Sequence, residues 1–280
     1  MMRNIVVGVL VGLSLFIWSA EAESQDRDTG TRALTAWTNE TCDTWAEIPV
    51  NNNNYLVRNN VFGPGAGEQC IQIKTVDSQL MPGFKVISAD HSAPHNDSPS
   101  AYPSIVKGCH PWGSECTRGW LHKRLQGITS ATSRWIVGGT NAEGTWNLTY
   151  DLWINPSTDT SGEPTGTELM IWLRSKGTII PGGTKVATMT IREKINGLWQ
   201  PVNYEVYHAS PWSNWQHYVA YKRTQPTNRV DPINLKDALD DCVSRGWCDS
   251  QSYLGAIEAG FEIWDGGVGL KTQTFSASVR

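Results

Sequence analysis

Short strand-forming runs separated by turn punctuation recur along almost the whole chain, and this rhythm restricts it to a fold of stacked strands. The runs NYLVRNNVF, CIQIKTV, FKVISA, SRWIVGG, WNLTYDLWI, ELMIWL, KVATMTI, VNYEVYHA, HYVAYKR, GFEIW and LKTQTFSASV are rich in β-branched and aromatic residues. Between them lie GPGAGE, GGTNAEG, NPSTDTSGEPTG and IPGGT, clusters of Gly, Pro, Asn and Ser that reverse a chain. GPGAGE lacks the Lys-Ser/Thr ending of a phosphate loop and reads as a turn. One segment breaks the rhythm. In DPINLKDALDDCVSRG, Leu235, Ala238, Leu239, Cys242 and Val243 recur at helical spacing. Asp231 is the expected N-cap, Pro232 the first helical residue and Gly246 the stop. Many strands and one late helix predict an all-β sandwich of two antiparallel sheets, of jelly-roll type, with one α-helix packed on it.

The first residues bear on the compartment. Arg3 precedes the apolar stretch IVVGVLVGLSLFIW, and Ala20 and Ala22 form an A-x-A pattern. This reads as a signal peptide over 1–22, since a spanning helix needs about 20 apolar residues. An uncleaved anchor is the alternative. Residues 23–40 are polar and aperiodic and read as a flexible tether; 41–280 form one domain. The expected product is secreted, extracellular or periplasmic, and free of the membrane once the leader is removed. Six cysteines in an exported chain predict disulfides. Sequence alone leaves the pairing open, although proximity favours Cys109 with Cys116 and Cys242 with Cys248, leaving Cys42 with Cys70. No CxxC pair offers a zinc site. A formal net charge of −4 argues against a nucleic-acid partner.

The chain holds 14 tryptophans and only 5 phenylalanines. Some must fill the core, but an excess of indoles in an exported β protein suggests flat surfaces for sugar rings. Three strands add an acid to such a surface. Side chains of a strand alternate between faces. In ELMIWL, Leu169, Ile171 and Leu173 share one face, and Glu168, Met170 and Trp172 the other. In GFEIW, Phe261 and Ile263 oppose Glu262 and Trp264; in TYDLWI, Tyr150, Leu152 and Ile154 oppose Asp151 and Trp153. Paired carboxylates among aromatic platforms are what glycoside hydrolysis requires: one protonates the departing oxygen, the other attacks or activates water. The plainer reading makes them satisfied structural acids on a polar sheet face. A serine-nucleophile reading fails for want of a G-x-S-x-G elbow. A metal reading could use His91 and His95, but they lie in the loop ADHSAPHND without a further ligand, so no metal and no cofactor are expected. The sequons at Asn39, Asn96 and Asn147 are possible glycan acceptors.

ELMIWL, YDLW and GFEIWDGGVGL with the later FSASV together resemble glycoside hydrolase family 12. NNVFG, CIQI, AYPSIVKGCHPWGSECT, VAYKRT and LKDALDDCVSRG extend the likeness over roughly 41–280, toward the exported bacterial endo-β-1,4-glucanases (cellulases). The resemblance implies a concave jelly roll that cleaves internal β-1,4-glucosidic bonds of cellulose and soluble β-glucans with retention. It implies Glu168 as nucleophile, Glu262 as general acid/base and Asp151 beside the nucleophile. Glu168 is then expected ionised, and Glu262 protonated with a raised pKa. Asn60, Met170 and Trp172 match cleft positions, and Trp264 adjoins the acid/base. Phe62 stands where the family carries a stacking tryptophan; Trp45, Phe62 and Trp172 are the expected sugar platforms. Pro111 separates His110 from Trp112, where relatives have a tighter His-Trp-Gly loop. The partner is a β-glucan, and the protein is expected to be a monomer. The rival readings are a xyloglucan-specific endo-β-1,4-glucanase and a non-catalytic, lectin-like glucan-binding module.

Overall fold

The computed structural model describes residues 36–75, 81–113, 115–120 and 122–280. In chain order the strands are β1 (Ala36–Thr41), β2 (Glu47–Val50), β3 (Tyr55–Arg58), β4 (Gln69–Thr75), β5 (Gly83–Ala89), β6 (Ser104–Gly108), β7 (Lys123–Arg124), β8 (Ala131–Gly138) and β9 (Gly144–Asn155). They continue as β10 (Thr167–Lys176), β11 (Thr184–Ile195), β12 (Leu198–Ala209), β13 (His217–Arg223) and β14 (Arg229–Asn234). The helix α1 (Leu235–Ser244) follows, then β15 (Tyr253–Gly260), β16 (Ile263–Gly266) and β17 (Lys271–Val279).

Pairing separates these strands into two layers. One runs β1–β4–β5–β17–β8–β14. The other runs β2–β3–β6–β15–β9–β10–β13–β12–β11. A single pair, Glu193 opposite Ile233, hooks β11 to β14 and joins the layers at one edge. The fold is the jelly-roll sandwich expected, with one amendment: β10 and β13 are parallel. The register explains it. Thr184 opens β11 level with His208, Val219 and Leu169, near the start of β10. Residues 177–183 must therefore run back nearly extended along the sheet, and they do so across its concave face. There Ile179 packs with Met170 and Trp172.

Alternation along the central strands divides two apolar populations. Leu169, Ile171 and Leu173 of β10, with Tyr150, Leu152 and Ile154 of β9, point between the layers into the main core. Trp135 meets Phe261 at 6.1 Å and Tyr150 edge-on at 5.2 Å, and donates its indole N–H to Thr272 Oγ1 at 3.1 Å. A core tryptophan is thus satisfied in its polar atom. Met170, Trp172, Tyr218, Ala220 and Trp264 pack together on the opposite, concave side, as do Leu56, Val106, Trp153 and Ala256.

The helix begins later than expected. Its N-cap is Asn234, and Pro232 lies inside β14. The β14–β8 register breaks between Val230 and Ile233, so Pro232 sits where no ladder N–H is needed. Asp231 caps nothing; it pairs with Arg134 at 3.0 Å and Arg229 at 2.8 Å. Leu235, Ala238, Leu239 and Cys242 face the core, and Gly246, at φ 71°, ends the helix in the left-handed conformation. The three disulfides pair as proximity favoured: Cys42–Cys70, Cys109–Cys116 and Cys242–Cys248. The expected tether is too long at its end, because residues 36–40 belong to β1 and pair with β4. The leader over 1–22 and the rest of the tether lie outside the described residues. No helix among the described residues is long and apolar enough to cross a membrane.

Ile171 is fully buried in the main core, on the far side of β10 from the concave face. Ile171→Ala should lower unfolding free energy by roughly 2–5 kcal/mol, measured as a urea midpoint shift at unchanged slope.

Candidate active site

The concave sheet forms the floor of a cleft of about 1460 Å³. Three neighbouring strands supply its acids. Register places Asp151 of β9 opposite Met170 of β10 on one side and opposite Glu258 of β15 on the other. Glu168 lies two residues before Met170, on the same face and opposite Trp153. Glu262 follows the end of β15, in the short break before β16. At the end of β15, Gly260 lets the chain pass close to its neighbour: a Cβ there would lie 2.4 Å from the Pro103 carbonyl oxygen. The break is then clamped to β9. Glu262 N–H donates to Asn147 Oδ1 at 3.1 Å, and the Asn147 side-chain amide donates back to Glu262 Oε2.

Every sequence-nominated residue lines this one cleft: Glu168, Glu262, Asp151, Asn60, Phe62, Trp45, His110, Trp112, Met170, Trp172 and Trp264. They are not equivalent there. Trp45, Phe62 and Trp112 are 60%, 48% and 45% exposed and present open ring surface. Trp172, expected as a platform, is 2% exposed and packs with Met170 and Trp264 in the floor itself. Trp264 is held by its indole N–H, which donates to the Asp97 carbonyl at 2.7 Å. Asn60 adopts a left-handed backbone, φ 46°, and its carbonyl accepts from Tyr102 N–H at 2.8 Å. Pro111 does not keep His110 and Trp112 apart: their rings lie 5.1 Å from each other. Trp112 also meets Trp153 and Trp215 edge-on, at 5.2 and 6.4 Å.

The profile of glycosyl hydrolase family 12 matches residues 53–280. The chain belongs to that family. An endoglucanase of Rhodothermus marinus superimposes with a TM-score of 0.74 at 38% identity, over 87% of this chain and 99% of its own. A metagenome-derived family 12 endoglucanase gives a TM-score of 0.76, also at 38% identity, over 86% of this chain and 97% of its own. Endoglucanase S of Pectobacterium parmentieri is 26% identical over 217 residues, 77% of this chain and 78% of its own length.

Within this family 12 cleft, burial dominates the electrostatics. It pushes Glu168 up to about 8, helped by the charge of Glu262 and opposed by the Trp215 indole N–H. Burial also pushes Glu262 up to about 7, against the hydrogen bond from Asn147. The expected contrast, with only Glu262 raised, is therefore absent: both carboxyls are weak acids in the free protein, because both are desolvated on one floor. Asp151 is raised well above its ordinary value, by burial first and then by Glu168, Glu258 and Glu262.

Several polar residues of the site were missed in the sequence. Glu258, Asn147, Tyr102 and the Arg58–Glu47 ion pair, at 2.9 Å, all belong to it. A signal for Glu258 existed. Ala256, Glu258, Gly260, Glu262 and Trp264 alternate along GAIEAGFEIW, so the spacing that marks Glu262 extends back to Glu258. Asn147, one of the sequons, is fully buried against Glu262 and offers no glycan acceptor. The two loop histidines are separately engaged: His91 with Gly67 N–H and Gln69, His95 with Asp265 and Thr145.

Glu168 holds its proton up to about 8 when folded, against an ordinary value of 4.5. Between those values the folded state binds more protons than the unfolded one, so stability falls as pH rises through that window. Glu168→Gln should match the wild-type melting temperature at pH 4 and exceed it at pH 8.5, as read by calorimetry.

Proposed function

We propose that this family 12 protein is an exported, endo-acting β-1,4-glucanase that hydrolyses cellulose and soluble β-glucans by double displacement. Glu168 attacks the anomeric carbon and forms a glycosyl-enzyme. Glu262 protonates the departing glucosyl oxygen, then takes a proton from the water that releases the product. The observation that carries the reading is the convergence of Glu168 and Glu262 on one aromatic-walled cleft, each from the strand motif that resembles the family's. The relatives named as endoglucanases support the glucan substrate and the endo mode.

The raised pKa values suit this division of labour. At neutral pH the pair holds about one proton between them. Two ionised carboxylates would leave no acid, and two neutral ones no nucleophile. The order of the two values does not assign the roles, since positive charge developing at the anomeric carbon favours the anion beneath it. The assignment rests on the motif each residue occupies. Trp45, Phe62 and Trp112 offer the ring surface on which glucosyl units would stack, and Asn60 edges the same groove.

Glu262→Gln should lower kcat by about 10²–10⁴-fold, and Glu168→Gln by at least as much, with both variants folded. Reducing-sugar release from carboxymethyl cellulose, mixed-linkage glucan and xyloglucan, run in parallel with product sizing, measures this and separates a general glucanase from a xyloglucan-specific one. Proton NMR of the first product should show the β-anomer. Near wild-type turnover by either variant, or an initial α-anomer, would overturn the mechanism.

A further inference from the structure

Beneath Asp151 lies a buried polar pair that the two-carboxyl mechanism does not itself use. Glu258 is 0% exposed, opposite Asp151 of β9 on one flank and Val106 of β6 on the other. His110 contacts its Oε1 through Nδ1, and Ser104 Oγ donates to its Oε2 at 3.2 Å. A carboxylate this deep is costly even when fully bonded, and an apolar side chain of similar volume would pack at less cost. Asp151 of β9 thus stands directly opposite Glu258 of β15 and on the diagonal from Glu168 of β10, which lies two residues before its partner Met170. Their negative charges cannot all persist at such spacing. The hydrogen bonds decide which one does. Glu258 has donors on both oxygens, whereas Asp151 Oδ1 has no partner among the described residues.

We propose that Glu258 and His110 are a positioning pair for the hydrolytic centre. Glu258, fixed as the anion by His110 and Ser104, keeps Asp151 in its acid form, available as a hydrogen-bond donor to Glu168, and sets the pH at which Glu168 ionises. The inference rests on the reading of Glu168 as nucleophile.

Charges from every side bear on this arrangement. Glu168 comes from β10, Glu262 from the β15–β16 break, and Tyr218 and Tyr102 close the floor, both pushed well above their ordinary values by burial and then by these acids. Arg58 from β3 works in the opposite sense, lowering both Asp151 and Glu258, and is itself held by Glu47 of β2 at 2.9 Å. Burial works to raise Glu258, yet His110, Arg58 and Ser104 hold it below the usual carboxylate value. With Glu258 the anion, His110 contributes Nδ1–H to their contact, while burial acts to lower the ring's own pKa and the Glu258 charge to raise it. The same bond orients the ring that meets Trp112 and, edge-on at 6.1 Å, Trp153, so the pair also braces part of the aromatic wall.

The test is the pH dependence of kcat/KM on a soluble β-glucan. Glu168 has the higher of the two values and Glu262 the lower, so the form with Glu168 ionised and Glu262 protonated gives an acidic limb near the Glu262 value and a basic limb near the Glu168 value. Glu258→Gln keeps size and hydrogen bonding but removes the charge. Asp151, relieved of that charge, then ionises and repels the Glu168 anion instead of donating to it, so the basic limb should move to higher pH by on the order of 0.5–1 unit while the acidic limb stays in place, since Glu258 does not bear on Glu262. His110→Phe leaves Glu258 Oε1 without its donor, with only Ser104 remaining on Oε2, so Glu258 takes up a proton and the basic limb should move the same way. The double variant should move it no further. His110→Asn, whose amide can replace Nδ1–H, should restore the wild-type limb. A Glu258→Gln profile that superimposes on wild type in both limbs, whatever the drop in rate, would overturn the pair while leaving the nucleophile assignment intact. Full activity of Glu168→Gln would instead remove the reading beneath it. Should Glu258→Gln fail to fold by circular dichroism, the His110→Phe and His110→Asn comparison decides alone, with equal limbs in both as the overturning result.

Discussion

A β-strand has two faces and no third, and the central strands of this protein use both for incompatible purposes. On β10, Leu169, Ile171 and Leu173 enter the dry core while Glu168, Met170 and Trp172 enter the cleft. On β9, Tyr150, Leu152 and Ile154 do the first and Asp151 and Trp153 the second. A slip of one residue would drive the acids into the core and the aliphatic side chains into the cleft. Burying each large apolar side chain is worth about 1.5–3 kcal/mol, and several do so on every central strand, so the core face fixes the register. The position of the carboxylates is therefore a consequence of what lies behind them. Chemistry placed on a rigid sheet in this way inherits the precision of the packing.

The cost of that placement is electrostatic. Glu168, Asp151, Glu258 and Glu262 share one floor. The structure relieves their repulsion in three ways. Asn147 donates to Glu262, and Arg58 pulls Asp151 and Glu258 down. His110 and Ser104 absorb one full charge at Glu258. Burial, joined at Glu168 by the charge of Glu262, favours the protonated forms, which is why Glu168 and Glu262 titrate near neutrality rather than near 4.5. Acidity and placement are thus not separate properties of this site.

Much of this was legible in the sequence because alternation with period two is a strong signal over a strand such as ELMIWL, and because each motif carried its acid beside an indole. The cleft side chains of β9 and β10 could be sorted from the core side chains without a structure. What escaped reading depended on partners distant in sequence. Asn147 looks like a glycan acceptor until β9 is laid beside Glu262, 115 residues away. Glu258 looks like an isolated acid until His110, 148 residues away, reaches it. The helix start is ambiguous in the sequence because proline serves equally at a first helical turn and at a break in a strand ladder, and only the β14–β8 register distinguishes the two. The parallel pairing of β10 with β13 likewise depends on where residues 177–183 travel, which no local pattern encodes.

The walls of the cleft are built from loops, yet they are braced much as the strands are. Trp112 N–H donates to the Gly162 carbonyl at 3.0 Å and Gly113 N–H to that of Thr160 at 2.6 Å, inside a loop closed by Cys109–Cys116. Asn214 donates to Glu163 at 2.5 Å, and Trp212 and Trp215 exchange backbone hydrogen bonds at 3.1 Å. Three loops therefore lean on one another, and Trp112, Trp153 and Trp215 meet edge-on where they converge. Rings held by their neighbours lose little freedom when a sugar stacks on them, so more of the contact energy remains for alignment. Alignment is what the carboxyls need, since a reacting atom misplaced by about 1 Å can cost 10²-fold in rate. The indole excess that marks the sequence thus serves in two ways: Trp135 and Trp146 anchor the core, and the clustered cleft tryptophans form a stiff surface beside the proposed catalytic acids.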